Sequence, residues 1–250
     1  MSIADIRPQS KKEQELLTEL LRADDAVLQW LNGWYGRWPS LDFFMFAMTN
    51  APMLKFGVFS AIFVWLWFAP GERQSKTREG VIVAAAAGLL GVVLARGLAL
   101  ALPFRDRPFV RADLDLHFNS GYDAGLRTWS AFPSDHAVMA FALACGIWSM
   151  SRRLGVFAFL YGLVAICVPR LYMGLHHPSD ILAGAVTGAG TWWLVSRAHL
   201  GEVASKVLEL EARRPQLFYV ASFVFIVQLT SMFVGLRSLT AAAFKLLAQV

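Results

Sequence analysis

Two arginines, two histidines, a serine and two aspartates stand beside the ends of long apolar runs in this sequence. Polar groups at that depth are costly, so their default reading is functional. Arg170, His176 and Asp180 share the stretch Arg170-Leu-Tyr-Met-Gly-Leu-His176-His177-Pro178-Ser179-Asp180, and Arg107-Pro108 and Phe132-Pro133-Ser134-Asp135-His136 precede it. These residue types suit phosphoryl transfer, which spreads negative charge over oxygens that fixed cations and donors must hold. Arg107 and Arg170 each offer a planar fork matched to phosphate oxygens. Pro133-Ser134-Asp135-His136 runs into a helix, whose first N–H groups and dipole favour an anion, and Ser134 adds a hydroxyl. His136 and His176 can divide the roles of nucleophile and acid near neutrality. Asp180 lies four residues beyond His176, and a near-helical backbone between them lets it take the imidazole N–H. The scheme requires no metal and no other cofactor.

The elements that must position these groups are membrane helices. The chain of 250 residues is 56% hydrophobic and 16% charged, with a mean hydropathy of +0.49, outside the soluble range. Apolar segments of about 20 residues suit spanning helices, and six are expected: Phe43–Pro70, Gly80–Leu102, His136–Met150, Leu154–Val168, Ile181–Ser196 and Leu217–Leu236. Asn50, Pro52 and Lys55 interrupt the first, so its early part is expected to be kinked or interfacial. Gly184 and Gly188 form a small-xxx-small pair suited to close helix contact. The expected fold class is therefore an all-α integral membrane protein of six transmembrane helices, preceded by an amphipathic interfacial helix.

That N-terminal segment, 1–40, reads apart from a single membrane domain over 41–250. Leu16, Leu17, Leu20, Leu21, Val27, Leu28 and Leu31 recur at helical spacing among Glu15, Glu19, Arg22, Asp25 and Gln29, too polar a pattern to span. Trp30, Trp34, Tyr35 and Trp38 follow, as aromatic residues do at headgroup level. The pattern fits a helix on the bilayer and equally one packed on the protein's own loops. Residues 1–15 lack the apolar run of a cleavable signal peptide. Cys145 and Cys167 lie in separate apolar runs and read as core residues.

Six spans put the loops 103–133 and 169–179 on one face. The other face receives Arg73, Lys76, Arg78, Arg152, Arg153, Arg197, Lys206, Arg213 and Arg214, so the positive-inside rule sends the motif loops outward. Arg7, Lys11, Lys12, Arg22 and Arg37 run against that assignment. A net charge of +5 without a basic stripe suits anionic lipid or a phosphorylated substrate and not nucleic acid.

The combined motifs resemble the type-2 phosphatidic-acid phosphatase superfamily. Its signature is a lysine seven positions before Arg-Pro, then Pro-Ser-Gly-His, then Ser-Arg followed by His and Asp at the spacing found here. Arg107-Pro108, Pro133-Ser134-x-His136, and Arg170, His176, Asp180 match, and the resemblance covers roughly Gly80 to Gly190. It implies that family's six-helix membrane fold. It also implies His176 as nucleophile through a phosphohistidine, Asp180 as its orienting partner, and His136 as acid to the leaving group. Arg107, Arg170, Ser134 and nearby backbone would hold phosphate. Three positions depart from the pattern. Leu100 stands where the lysine belongs, with Arg96 one turn earlier as a substitute. Asp135 replaces the glycine and Pro169 the serine. Arg96 and Asp135 are carried as candidate phosphate-site residues, although Arg105, Asp106, Arg111 and Asp135 read individually as loop salt bridges or entrance charges. Arg-Pro-Phe-Val and Phe-Pro-Ser-Asp-His-Ala are similar to the bacterial undecaprenyl-pyrophosphate phosphatase branch, which points to a polyprenyl diphosphate substrate in the bacterial inner membrane, with the site on the periplasmic face.

Other readings compete. A serine hydrolase on Ser134 lacks the Gly-x-Ser-x-Gly elbow. Zinc on His136, His176, His177 and Asp180 is plausible by ligand type, but the arginines repel a cation. His117 and His199 read as structural, His177 as solvated or capping, and Tyr172 as packing. A phosphatidic-acid or phosphatidylglycerophosphate phosphatase, a lipid phosphotransferase, and a non-catalytic transporter or scaffold remain the alternative functions.

Overall fold

The protein is described here as a computed structural model covering residues 10–118, 124–198 and 201–233. Arg7, His199 and the end of the sixth expected span lie outside the described residues. Among those described, the chain is helical throughout and has no strand. Ten α-helices follow in order: α1 (Lys11–Asn32), α2 (Pro39–Asn50), α3 (Val58–Phe68), α4 (Gln74–Ala101), α5 (Asp135–Met150), α6 (Arg152–Tyr161), α7 (Val168–Tyr172), α8 (Pro178–Arg197), α9 (Gly201–Arg213) and α10 (Pro215–Thr230).

Their boundaries follow from local chemistry. Ser10 and Glu13 close a reciprocal capping box at the start of α1, satisfying donors that a helix end leaves free. Pro39, Pro178 and Pro215 each occupy the first helical position, where a missing N–H costs nothing. Ala51 is extended because Pro52 follows it. The chain therefore breaks between α2 and the π-helical turn Met53–Gly57 that leads into α3, and the two halves meet at 79°. This is the expected kink.

Among the described residues, two helices are long and apolar enough to cross a membrane: α4, and the continuous stretch Arg152–Tyr172. The bent pair of Pro39–Asn50 with Met53–Phe68 passes if counted as one span, and α5 and α10 are shorter apolar helices. The fourth expected span ended before Pro169, but the helix runs on to Tyr172. A π-helical turn at Gly162–Cys167 widens the helix just ahead of the proline, which lacks one ladder donor. Arg170 thereby sits in a last helical turn instead of a loop.

Helices α4, α5 and α8 pack against one another at the centre, with α6 against α5. Ala84, Met139, Ala140, Leu143 and Ile147 are among the residues buried between them. The α5–α8 contact is close enough to exclude side chains. A Cβ at Gly184 would stand 2.6 Å from the Ser134 carbonyl oxygen, and one at Gly188 would stand 2.2 Å from that of Val138. Since α8 carries Asp180 and α5 carries His136, this approach sets the width of the site. Gly188→Ala is expected to destabilise the protein by about 1–3 kcal/mol through overpacking. The check is thermal unfolding in detergent, where an unchanged midpoint would contradict the close contact.

Helix α1 does not stand apart from the rest. Asp24, Leu28 and Asn32 are buried on one face, packed toward α7 and α8, while Leu16, Leu20, Val27 and Trp30 are exposed. At the far end of the bundle, Arg78 pairs with Glu211 at 2.9 Å and lies over Trp67.

Candidate active site

The site forms where the end of α4, the start of α5, the end of α7 and the start of α8 converge under the loop that holds Arg105 and Arg107. Loop and helix starts are tied by backbone bonds. Ala131 donates to the Arg105 carbonyl at 2.9 Å, Ser134 to that of Asp180 at 3.1 Å, and Phe109 to that of Gly174 at 3.0 Å. Arg107, Ser134, Arg170, His176 and Asp180 are all buried. Their charges act on one another: Arg107 with Arg170 and Asp180, Asp135 with His176, and Arg170 with His136. The sequence-predicted residues are therefore one cluster.

His176 is held from two sides. Its Nδ1 lies 2.9 Å from the Ala131 carbonyl oxygen. A carbonyl only accepts, so Nδ1 carries the proton and Nε2 keeps the lone pair. Nε2 faces an Arg107 guanidinium nitrogen at 3.4 Å. The Asp180 carboxylate was expected to take the imidazole N–H directly, yet it stands 3.7 Å from Nδ1. Its oxygens are engaged elsewhere. Oδ2 caps α8 by accepting from the His177 backbone N–H at 2.7 Å and faces His177 Nδ1 at 3.2 Å, while Oδ1 accepts from Arg105 at 2.5 Å. Asp180 thus acts on His176 mainly through its field, and the carbonyl sets the tautomer. His177 is buried as the N-cap of α8, not solvated.

Burial pushes the His176 imidazole below its ordinary range, Asp180 opposes that shift, and the Arg107 charge reinforces it. Burial likewise lowers the Arg107 guanidinium. A lowered pKa means that the neutral, lone-pair form of His176 survives to more acid pH than a free imidazole allows. The acid limb of kcat/KM due to His176 is expected below about pH 6.5, in a profile recorded in detergent. A limb at or above that value would contradict the buried setting.

His136 is oriented by its neighbour. Its Nδ1 lies 2.8 Å from Asp135 Oδ1, leaving Nε2 as the nitrogen free to exchange protons, and the Phe56 ring stands 6.0 Å from the imidazole. Asp135 Oδ2 accepts from Arg96, whose guanidinium also lies over Trp129 at 4.9 Å. Two expectations change here. With both oxygens engaged and the same charge as phosphate, Asp135 serves as acceptor for Arg96 and His136, not as a phosphate ligand. Arg96 gives one guanidinium nitrogen to that pair and keeps a buried Nε with no partner among the described residues, while Leu100, at the lysine position, is 77% exposed.

The start of α5 is also less open to an anion than expected. The His136 backbone N–H donates to Asp135 Oδ1 at 2.9 Å, and that of Ala137 to Ser134 Oγ at 3.5 Å. An aspartate at the first helical position folds back and takes the donor that glycine would have left free. Ser134 accepts through its oxygen, so its own O–H proton remains to be given. Arg107 is braced by the carbonyls of Leu126 at 3.1 Å and Leu175 at 2.9 Å, and Arg170 by that of Ile166 at 3.2 Å. Each bracing leaves further N–H groups of the fork for phosphate oxygens.

Asp24, which sequence reasoning did not single out, supports the site through Arg105. Arg105 NH2 donates to buried Asp24 of α1 at 2.7 Å, and Asp24 also accepts from the Ser179 N–H at 2.9 Å and from its hydroxyl. The salt-bridge reading of Arg105 agrees with this, but its second partner is Asp180 itself. The signal for Asp24 lay in the spacing Leu17, Leu21, Asp24, Leu28, a carboxylate within an apolar stripe. Arg111 pairs with Asp25 and Asp113, as a loop salt bridge. Tyr172 is buried, with its hydroxyl on Asp42 and its ring against Tyr35, and packs as expected.

The family model of the PAP2 superfamily matches residues 80–203. The chain is 28% identical over 146 residues to Undecaprenyl-diphosphatase BcrC of Bacillus subtilis, covering 58% of this chain and 68% of that protein. It is 40% identical over 65 residues to Lipid A 4'-phosphatase of Bacteroides thetaiotaomicron, covering 25% and 28%. It is 26% identical over 140 residues to Bacitracin transport permease protein BcrC of Bacillus licheniformis, covering 54% and 61%. No solved structure matches.

Proposed function

Because residues 80–203 of this chain are a PAP2 superfamily domain, we propose that the protein is a membrane phosphatase that hydrolyses a polyprenyl diphosphate, undecaprenyl diphosphate to its monophosphate, through a phosphohistidine on His176. The observation that carries this reading is the setting of His176: buried, its Nδ1 proton held by a carbonyl and its Nε2 lone pair 3.4 Å from Arg107. That places an unprotonated nitrogen beside a guanidinium, the arrangement in-line attack on phosphorus needs.

The steps balance as follows. Nε2 attacks the terminal phosphorus, and the bond from phosphorus to the bridging oxygen breaks, its electron pair leaving with the lipid monophosphate. His136, entering as the imidazolium with its charge balanced by Asp135, gives its Nε2 proton to that leaving group. As the neutral imidazole it then takes a proton from a water that attacks the phosphohistidine, releasing inorganic phosphate and restoring the His176 imidazole and the His136 imidazolium. Arg107, Arg170 and the Ser134 hydroxyl hold the transferring oxygens, Asp135 and the Ala131 carbonyl position the two histidines, and Asp180 adds its charge beside His176.

In this reading residues 41–250 form one domain of six spanning helices, with Pro39–Phe68 as the first and α10 as the start of the last. The exposed stripe of Leu16, Leu20, Val27 and Trp30 on α1 rests at the bilayer surface. The basic far-end loops keep that side cytoplasmic, so the site opens to the periplasmic face of the bacterial inner membrane. The lipid A phosphatase relative favours a second substrate class, a phosphate monoester on a lipid. The transport reading, echoed in another relative's name, accounts for none of the bracing around His176.

Phosphate release by purified protein in detergent with EDTA decides between these, offering undecaprenyl diphosphate beside phosphatidic acid and phosphatidylglycerophosphate. Strong preference for the diphosphate is expected. Preference for a glycerophospholipid would move the protein to lipid synthesis, and no release from any of them would overturn the hydrolase reading.

A further inference from the structure

Lys55 lies on the π-helical turn Met53–Gly57, immediately after the break that bends the first apolar segment by 79°. Sequence reasoning treated it only as an interruption of that segment. The fold gives it a different setting. Its neighbour Phe56 is buried with its ring 6.0 Å from the His136 imidazole. The Leu54 carbonyl accepts from the Tyr161 hydroxyl at 2.5 Å, which fixes the turn against the helix leading to Arg170. Lys55 itself is half-buried, and its charge acts on Arg170, Asp135 and His136.

Among the described residues, Lys55 has no hydrogen bond and no ion pair. A cation that is half-buried among apolar helices without a counter-charge is costly. Asp135, the carboxylate it senses, is already taken by Arg96 and His136. Asp180 is taken by Arg105 and the His177 N–H. The cluster therefore sets four cations, Lys55, Arg96, Arg107 and Arg170, against Asp135. A single phosphate monoester brings a charge of about −1.5 to −2 near neutrality, which Arg107, beside the nucleophile, and Arg170, whose charge acts on Arg107 and His136, already match. The remaining uncompensated charge is that of Lys55, whose field reaches Arg170, Asp135 and His136.

We propose that Lys55 binds the second, leaving phosphate of a diphosphate substrate, and that the break in the first apolar segment is what carries it into the site. The assignment rests on the reading of the substrate as a diphosphate. It makes the bent pair α2–α3 part of the binding site and Lys55 a residue that sets specificity for diphosphate over monophosphate. A compact ammonium on a flexible stem suits this role, because the lipid phosphate must leave after each turnover.

The test compares wild type, Lys55→Gln and Lys55→Arg in detergent with EDTA, using undecaprenyl diphosphate as substrate and inorganic pyrophosphate and phosphate as competitors. Thermal protection by pyrophosphate is measured in parallel and needs no turnover. Lys55→Gln is expected to raise KM and the pyrophosphate inhibition constant about tenfold or more, the scale of one charge-assisted hydrogen bond. The phosphate inhibition constant should move much less, and Lys55→Arg should recover most of the loss. Equal weakening of both anions, or an unchanged pyrophosphate constant in Lys55→Gln, would overturn the assignment. If wild type turns over the lipid diphosphate and Lys55→Gln matches it throughout, the Lys55 inference fails and the phosphatase reading stands. If wild type turns over no lipid, yet pyrophosphate protects it and not Lys55→Gln, the reaction reading fails and Lys55 remains a pyrophosphate-binding residue.

Discussion

His176→Ala is expected to lower kcat for the lipid diphosphate by at least about a thousandfold, to near background, while leaving the fold intact. The size follows from the role. A nucleophile that forms a covalent intermediate has no substitute in the cluster, and removing such a group costs about as much as removing its whole catalytic unit. His136 does not take over in this reading, because it stands on another helix, α5, and its Nε2 serves the leaving group. Removal of the imidazole leaves the Ala131 carbonyl without its side-chain donor, a loss of about 1 kcal/mol in stability, so the protein should still purify. The measurement is single-turnover phosphate release beside thermal unfolding. Retention of more than about one-tenth of the wild-type rate in a folded variant would remove His176 from the chemistry.

His136→Ala carries the second large effect, and its size should depend on the leaving group. General acid catalysis is worth about a hundredfold to ten-thousandfold. That full loss is expected with phosphatidic acid, whose leaving alkoxide cannot depart without a proton. With a diphosphate, the leaving group is a phosphate monoester whose second pKa is about 6, so it departs readily as an anion. The loss should then fall toward the lower end, and hydrolysis of the phosphohistidine, which needs His136 as base, should become limiting. Burst kinetics separate the two: a pre-steady-state burst of lipid monophosphate in His136→Ala is expected with the diphosphate. Equal losses on both substrates, with no burst, would show that His136 does not move the proton.

The spacing of Arg107, His136, Arg170, His176 and Asp180 was enough to place them in one cluster, because each stands at the end of an apolar run and the runs must pack side by side. The Gly184 and Gly188 pair was also legible, since small residues four apart on an apolar helix have one common use. The partners of these groups were not. Nothing in the spacing of His176 and Asp180 says that Ala131 supplies the acceptor, because a backbone carbonyl leaves no mark in the sequence. Asp135 looked like a phosphate-site departure and proved to be the orienting group for His136, a role set by Arg96 arriving from α4. Lys55 was hidden for another reason. A break at Pro52 reads as damage to a span until the fold shows which way the following turn points. The continuation of the helix from α6 through Pro169 into α7 was missed because a proline ordinarily ends a helix, and here a wider turn absorbs it.

The most direct measurement traps the intermediate. Wild-type protein in detergent with EDTA is mixed with diphosphate labelled on its terminal phosphorus, quenched within one turnover, and digested for peptide mapping. The account predicts an acid-labile, base-stable label on the peptide containing His176, absent from His176→Ala and longer-lived in His136→Ala. Turnover by wild type with no label on that peptide, or an undiminished label in His176→Ala, would contradict it.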